Sequence, residues 1–149
     1  WNVFEFDLAY FRTFIPISGT SWALGHMAEE ELADATAGLM RQSVIDQGYT
    51  KDDFFIFAAT GTNDIAYPLH THIEAMQRLT DMFAYDYRPS VGNLYFLLAQ
   101  GGQHNYDWVT DYFYAILPHL FPPTDEPSEI SNNTFATGKQ VARGDHYNL

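Results

Sequence analysis

The sequence predicts an α/β fold with three layers, in which a parallel sheet lies between helices. Three short segments are apolar at consecutive positions, a pattern typical of strands that are covered on both faces. Each of these segments is followed by one whose apolar residues recur at helical spacing. Because strands that alternate with helices form parallel sheets through right-handed crossovers, the order strand, helix, strand, helix, strand, helix indicates this fold class.

The first predicted strand and helix occupy the first third of the chain. The strand is the apolar run 14–17, which Ser18 closes, although Pro16 is unfavourable within a strand. The helix spans 27–47, where an apolar stripe follows acidic residues that suit a positive first turn, and Gly48 ends it.

Two further strand and helix pairs come next along the chain. The second strand is 54–59, and the second helix starts near Pro68, a favoured first helical residue, and continues its apolar stripe to Phe83. The third strand is 94–99, and the last helical stripe spans 108–120 before a pair of prolines.

Composition limits the class of protein. The chain has 149 residues, which fits one domain, and its 7 Lys and Arg against 19 Asp and Glu give a net charge of −12 that argues against a nucleic-acid partner. It has no Cys, which excludes thiolate sites, and its apolar runs are far shorter than the roughly 20 residues of a membrane helix. We expect a folded domain over 1–123 and a tail or linker rich in Pro, Ser and Asn over 124–149.

An acid and a histidine occur directly after neighbouring predicted strands. In a parallel sheet the loops after the strands meet at one edge, which here gathers residues 18–22, 60–64 and 101–104. Asp64 and, 40 residues later, His104 occur in the Ser, Asp, His order of the α/β-hydrolases. The carboxylate would orient the imidazole, which accepts the serine proton. The alternative is that Asp64 only forms a turn and that His104 is a polar residue before a helix.

Three segments resemble a known family. FIPISGTSW at 14–22, FFIFAATGTNDIAY at 54–67 and GGQH at 101–104 are similar to blocks of the feruloyl esterases of carbohydrate esterase family 1, especially those attached to bacterial cellulosomal xylanases. The resemblance extends from residue 1 to about residue 121 and is most specific in the AATGxxDIAY block.

The resemblance implies a function and its residues. It implies the carboxyl-terminal part of an α/β-hydrolase fold, with Asp64 and His104 as the acid and base of a catalytic triad and Trp22 as an aromatic lining a phenolic pocket. For Trp22 the alternative is a half-buried loop anchor. It also implies a secreted serine carboxylesterase that releases ferulic or related hydroxycinnamic acids from plant xylan and uses no metal or organic cofactor.

The sequence departs from the family at the nucleophile. The family's Gly-x-Ser-x-Gly elbow precedes the point that Trp1 matches, so we expect the serine and the oxyanion hole in an amino-terminal half that is missing here. Ser21 lies in a similar G-x-S-x-A pattern, but Gly25 interrupts the helix that a nucleophile elbow requires directly after its serine.

Other interpretations remain open. The domain could be a catalytically silent carbohydrate- or protein-binding module on the same fold, or an esterase for acetyl or other acyl groups. His70 and His72 invite a metal hypothesis, but an i, i+2 pair on a helix points to different faces, so we expect two surface histidines instead.

Overall fold

A computed structural model describes residues 1–19, 21, 30–121 and 147–148. Within these residues four strands form one sheet, in the order β1, β2, β3 and β4. The strands are β1 (Thr13–Phe14), β2 (Phe55–Gly61), β3 (Leu94–Ala99) and β4 (Tyr147–Asn148). The first three run parallel, as the sequence predicts, and β4 is antiparallel to β3.

The helices predicted from the sequence also occur in their predicted order, and one further short helix precedes them. They are α1 (Asn2–Phe6), α2 (Glu30–Asp46), α3 (Thr71–Arg78), which a 3₁₀ turn at Tyr67–His70 precedes, and α4 (Tyr106–Leu120). Asn105 caps the start of α4, because its side-chain oxygen accepts a hydrogen bond from the Trp108 backbone N–H at 3.2 Å.

The sheet separates two apolar cores, which gives the predicted three layers. Successive residues of a strand point to opposite faces, so Ile56 and Ala58 of β2 join the core beneath α1, α2 and α3. Phe57 and Ala59 join the core beneath α4. Every residue of β2 is buried, which explains its unbroken apolar sequence.

The structure differs from the predicted elements in four places. The first strand is only Thr13–Phe14, with an isolated bridge at Ile17, whereas the apolar run predicted a strand over 14–17; Pro16 has no N–H to donate within a continuous ladder. The short helix α1 was not predicted; its buried Phe4 makes edge-on ring contacts that join it to the first core. Helix α3 ends at Arg78, whereas the apolar stripe predicted a helix to Phe83. Buried Asn93 stabilises the turn that replaces this last part, because its amide donates to the Met82 carbonyl and its oxygen accepts from the Ala84 N–H. Strand β4, which pairs antiparallel with β3, is the fourth difference.

The tail predicted over 124–149 lies outside the described residues, except for β4. None of the described helices is long and apolar enough to cross a membrane.

Strand β1 pairs with β2 on one side only within the described residues, and its other side is an edge of the sheet. Exposed Tyr10 and Phe11 precede this edge. Because unpaired backbone groups beside apolar side chains promote association, we expect the 149-residue chain expressed alone to self-associate. Size-exclusion chromatography with light scattering measures this. A monodisperse monomer that melts cooperatively would contradict it.

Candidate active site

Two loops meet at the carboxyl-terminal edge of the sheet. The parallel register pairs Gly61, the last residue of β2, with Ala99, the last residue of β3. Beyond this pair the loops remain bonded to each other. The Asn63 N–H donates to the Gly102 carbonyl at 2.9 Å, and the Gly101 N–H donates to the Thr62 hydroxyl oxygen at 2.8 Å. The pairing of the two strands therefore continues into the loops that carry Asp64 and His104.

Glycine allows this close approach. A Cβ at Gly61 would lie 2.2 Å from the carbonyl oxygen of Gly102, and a Cβ at Gly102 would lie 2.6 Å from the Tyr112 hydroxyl. No side chain fits at such distances unless the backbone moves. The two glycines therefore set the separation of the loops.

Asp64 and His104 form a hydrogen-bonded pair. The imidazole Nδ1 lies 3.0 Å from Oδ1 of Asp64, and the Asp64 side chain is 0% exposed whereas that of His104 is 55% exposed. A neutral imidazole that donates its Nδ1–H to the carboxylate has an unprotonated Nε2, which can accept a proton. This is the geometry that an acid and base pair of a triad requires.

The Asp64 carboxylate accepts three hydrogen bonds. Oδ1 also accepts the Ala66 N–H at 2.7 Å, and Oδ2 accepts the Ser18 hydroxyl at 2.6 Å. Burial, the largest single influence, raises the pKa of Asp64, but the hydrogen bonds from Ser18, Ala66 and His104 and the attraction of His104 together outweigh it. The net pKa of Asp64 is therefore lowered, and the carboxylate remains charged at neutral pH.

The other candidate residues have different outcomes. Trp22 lies outside the described residues, so its role as a pocket aromatic stays a prediction. Ser21 is buried, and the residues after it, where a nucleophile elbow requires a helix, are also outside the described ones. The sequence places Ser18 at this edge of the sheet but indicates no role for it. Its contact with Asp64 depends on a local backbone geometry for which the sequence has no clear signal.

The expectation of two surface histidines at positions 70 and 72 is wrong. His70 is 2% and His72 is 0% exposed. His70 stacks on Phe96 of β3 at a centroid distance of 5.5 Å, and its Nδ1 lies 2.6 Å from the Ala66 carbonyl oxygen; His72 packs edge-on against Trp1. Burial lowers the pKa of His70, against the opposing effects of nearby carbonyls and Asp64, so this ring is a neutral core residue. No group of potential metal ligands occurs among the described residues.

This arrangement of sheet, helices and loops is part of an α/β-hydrolase fold. The chain is similar to the feruloyl esterase module of Clostridium thermocellum, solved as a serine-to-alanine mutant in complex with sinapinate; the TM-score is 0.72 and the identity 34%, over 87% of this chain and 44% of that chain. A second solved structure, described as FAE, has the same TM-score of 0.72 and identity of 34%, over 85% of this chain and 44% of that chain.

A curated relative agrees with these structures. The endo-1,4-beta-xylanase Y of Acetivibrio thermocellus is 36% identical over 122 residues, which are 81% of this chain and 11% of that protein. No protein-family model matches the chain. The predicted resemblance to feruloyl esterases is therefore confirmed, and the chain spans less than half the length of the solved structures that it matches.

The contact between the two loops can be tested at Gly61. We expect Gly61→Ala to lower the free energy of unfolding by about 1–3 kcal/mol, because the new Cβ overlaps the Gly102 backbone. Gly38→Ala is the matched control, because a Cβ there meets nothing within 4 Å. Alanine at this position in α2 should raise the free energy of unfolding by about 0.5–1 kcal/mol. Denaturant unfolding of the protein that contains the complete domain measures both. Equal stability of Gly61→Ala and the parent would contradict the role of this contact.

Proposed function

We propose that this chain supplies the acid and base of a serine carboxylesterase, with Asp64 orienting His104. The observation that supports the proposal is the hydrogen bond between the buried, anionic Asp64 and the half-exposed imidazole of His104. The nucleophilic serine and the oxyanion hole would belong to the part of the domain that this sequence does not include. That part is the partner the site requires.

The reaction depends on the free Nε2 of His104. The serine hydroxyl gives its proton to Nε2 while its oxygen attacks the ester carbonyl, and Asp64 stabilises the imidazolium that forms. His104 then returns the proton to the departing alkoxide as the carbon–oxygen bond breaks, which leaves an acyl-enzyme. Water attacks the acyl group in the same manner, and the free acid and the serine hydroxyl are restored. The residues of this chain move protons and need no metal or organic cofactor for these steps.

Relatives suggest the substrate class. One solved neighbour binds sinapinate, a hydroxycinnamate, and the curated relative is a xylanase. We propose that the substrates are hydroxycinnamate esters, such as feruloyl groups attached to plant xylan, and that Trp22 contacts the phenolic ring. Because such a polymer is encountered outside the cell, we propose that the enzyme is secreted.

Hydrolysis of methyl ferulate by the complete protein tests the acid and base assignment. We expect Asp64→Asn to lower kcat by roughly 10⁴, because it loses the orienting anion, and His104→Ala to lower kcat by roughly 10⁶, because it loses the base. Asp81→Asn is a matched control, since this exposed carboxylate contacts Arg41 rather than the site. Ser21→Ala should remain nearly as active as the parent. Undiminished activity of His104→Ala would refute the assignment, and complete inactivity of the parent would favour a silent binding module.

The preference of the enzyme for a feruloyl over an acetyl group is tested separately. We expect kcat/KM for methyl ferulate to exceed that for a matched acetyl ester by at least about tenfold, because an aromatic pocket gains apolar contact only with the phenolic acyl group. Trp22→Ala should reduce this ratio mainly by weakening hydrolysis of the feruloyl ester. A preference for the acetyl ester would instead indicate an acetylesterase on the same fold.

A further inference from the structure

Ser18 has an unusual backbone conformation beside the catalytic pair. Its φ is +48°, and it is the only residue other than glycine with a positive φ among the described residues. Its N–H donates to the Ala59 carbonyl at 2.8 Å, directly after Ile17 pairs with Ala59 of β2. The backbone of Ser18 is thus anchored to β2. Non-glycine residues adopt this left-handed region at a cost, and such positions are concentrated at functional sites.

The contact that this conformation makes is the hydrogen bond to Asp64. The Ser18 hydroxyl donates to Oδ2 at 2.6 Å, the short distance of a charge-assisted bond. The Ala66 N–H and His104 both face Oδ1, so within the described part of the chain Ser18 is the donor that holds the second carboxylate oxygen. Because the Asp64 side chain is fully buried, its Oδ2 would otherwise lie unsatisfied in the protein interior.

We propose that Ser18 is a positioning residue, whose hydroxyl holds the plane of the Asp64 carboxylate so that Oδ1 faces Nδ1 of His104. This proposal rests on the proposed esterase function. Rotation about the Cβ–Cγ bond moves both carboxylate oxygens, so the donor on Oδ2, which comes from the loop after β1, adds to the two donors on Oδ1 in resisting that rotation. Ser18 is not the nucleophile in this scheme, because its proton is committed to a carboxylate and not to the imidazole.

The backbone of Ser18 allows a clean substitution. Glycine adopts φ near +48° without strain, so Ser18→Gly removes the hydroxyl and should preserve the fold. In the protein that contains the complete domain, we expect Ser18→Gly to lower kcat for methyl ferulate by about 10- to 100-fold, the effect of one hydrogen bond to a charged group. KM should change by less than about twofold, and the melting temperature should fall only slightly, because relief of backbone strain at position 18 partly offsets the lost hydrogen bond to the buried carboxylate. Ser90→Gly, at an exposed turn, is the matched control, and its kcat, KM and melting temperature should equal those of the parent.

A double-mutant cycle separates positioning from a general structural role. If Ser18 acts through Asp64, Ser18→Gly should have almost no further effect on kcat in the Asp64→Asn background. The same loss in both backgrounds would overturn the proposal, as would an unchanged kcat in Ser18→Gly alone. A loss of about 10⁵ or more in Ser18→Gly would identify Ser18 as the nucleophile and would also overturn it.

A titration of the Asp64 carboxyl carbon by NMR does not depend on turnover. We expect Ser18→Gly to raise the pKa of Asp64, because one of the hydrogen bonds that lower it is lost. An inactive parent with this shift would refute the esterase function while retaining the contact between Ser18 and Asp64. An active parent without the shift would retain the esterase and refute the role of Ser18.

Discussion

The parallel pairing of β2 with β3 determines the geometry of the site. Asp64 and His104 are 40 residues apart in sequence, and they meet because Gly61 is in register with Ala99 and each strand then needs only a short loop. A slip of one residue would move one loop by about 3.3 Å and exchange the faces of the strand, which would break the 3.0 Å contact. The close approach of Gly61 to Gly102 extends this register beyond the strands. The register of β2 against β3 therefore determines both the packing of the two cores and the contact between Asp64 and His104.

The electrostatics of Asp64 depend on the same arrangement. A buried carboxylate would normally bind a proton, but donors from three segments, Ser18, Ala66 and His104, lower its pKa instead. Because the pKa of the folded state is the lower one, these bonds stabilise the fold fully above the ordinary pKa of Asp, and this contribution is lost as the pH falls through the lowered value. The Asp64 carboxylate, which would stabilise the imidazolium of His104, therefore also holds three loops together through its hydrogen bonds.

The sequence predicts best those elements in which burial and topology determine the pattern of apolar residues. β3 has the predicted bounds because both of its faces are covered. The positions of Asp64 and His104 directly after neighbouring strands made them candidates, and the resemblance of the surrounding segments to feruloyl esterases assigned their roles. The end of α3 could not be found in this way, since Phe83 remains buried in the turn and continues the apolar stripe. The burial of His70 depends on Phe96, a contact between distant segments that no local pattern encodes.

The proposed acid and base pair, Asp64 and His104, is assembled from residues of this chain. Every described hydrogen bond to the Asp64 carboxylate comes from the loops after β1, β2 and β3, so the pair can assemble from three consecutive strands of the sheet. Its exposed element is the imidazole ring, whose Nδ1 is committed to Asp64. Nε2 is then the atom through which the pair can act on a group from elsewhere in the domain. For the proposed reaction, a serine need only be placed within hydrogen-bond reach of that nitrogen, because the buried carboxylate already sets the tautomer that would receive its proton.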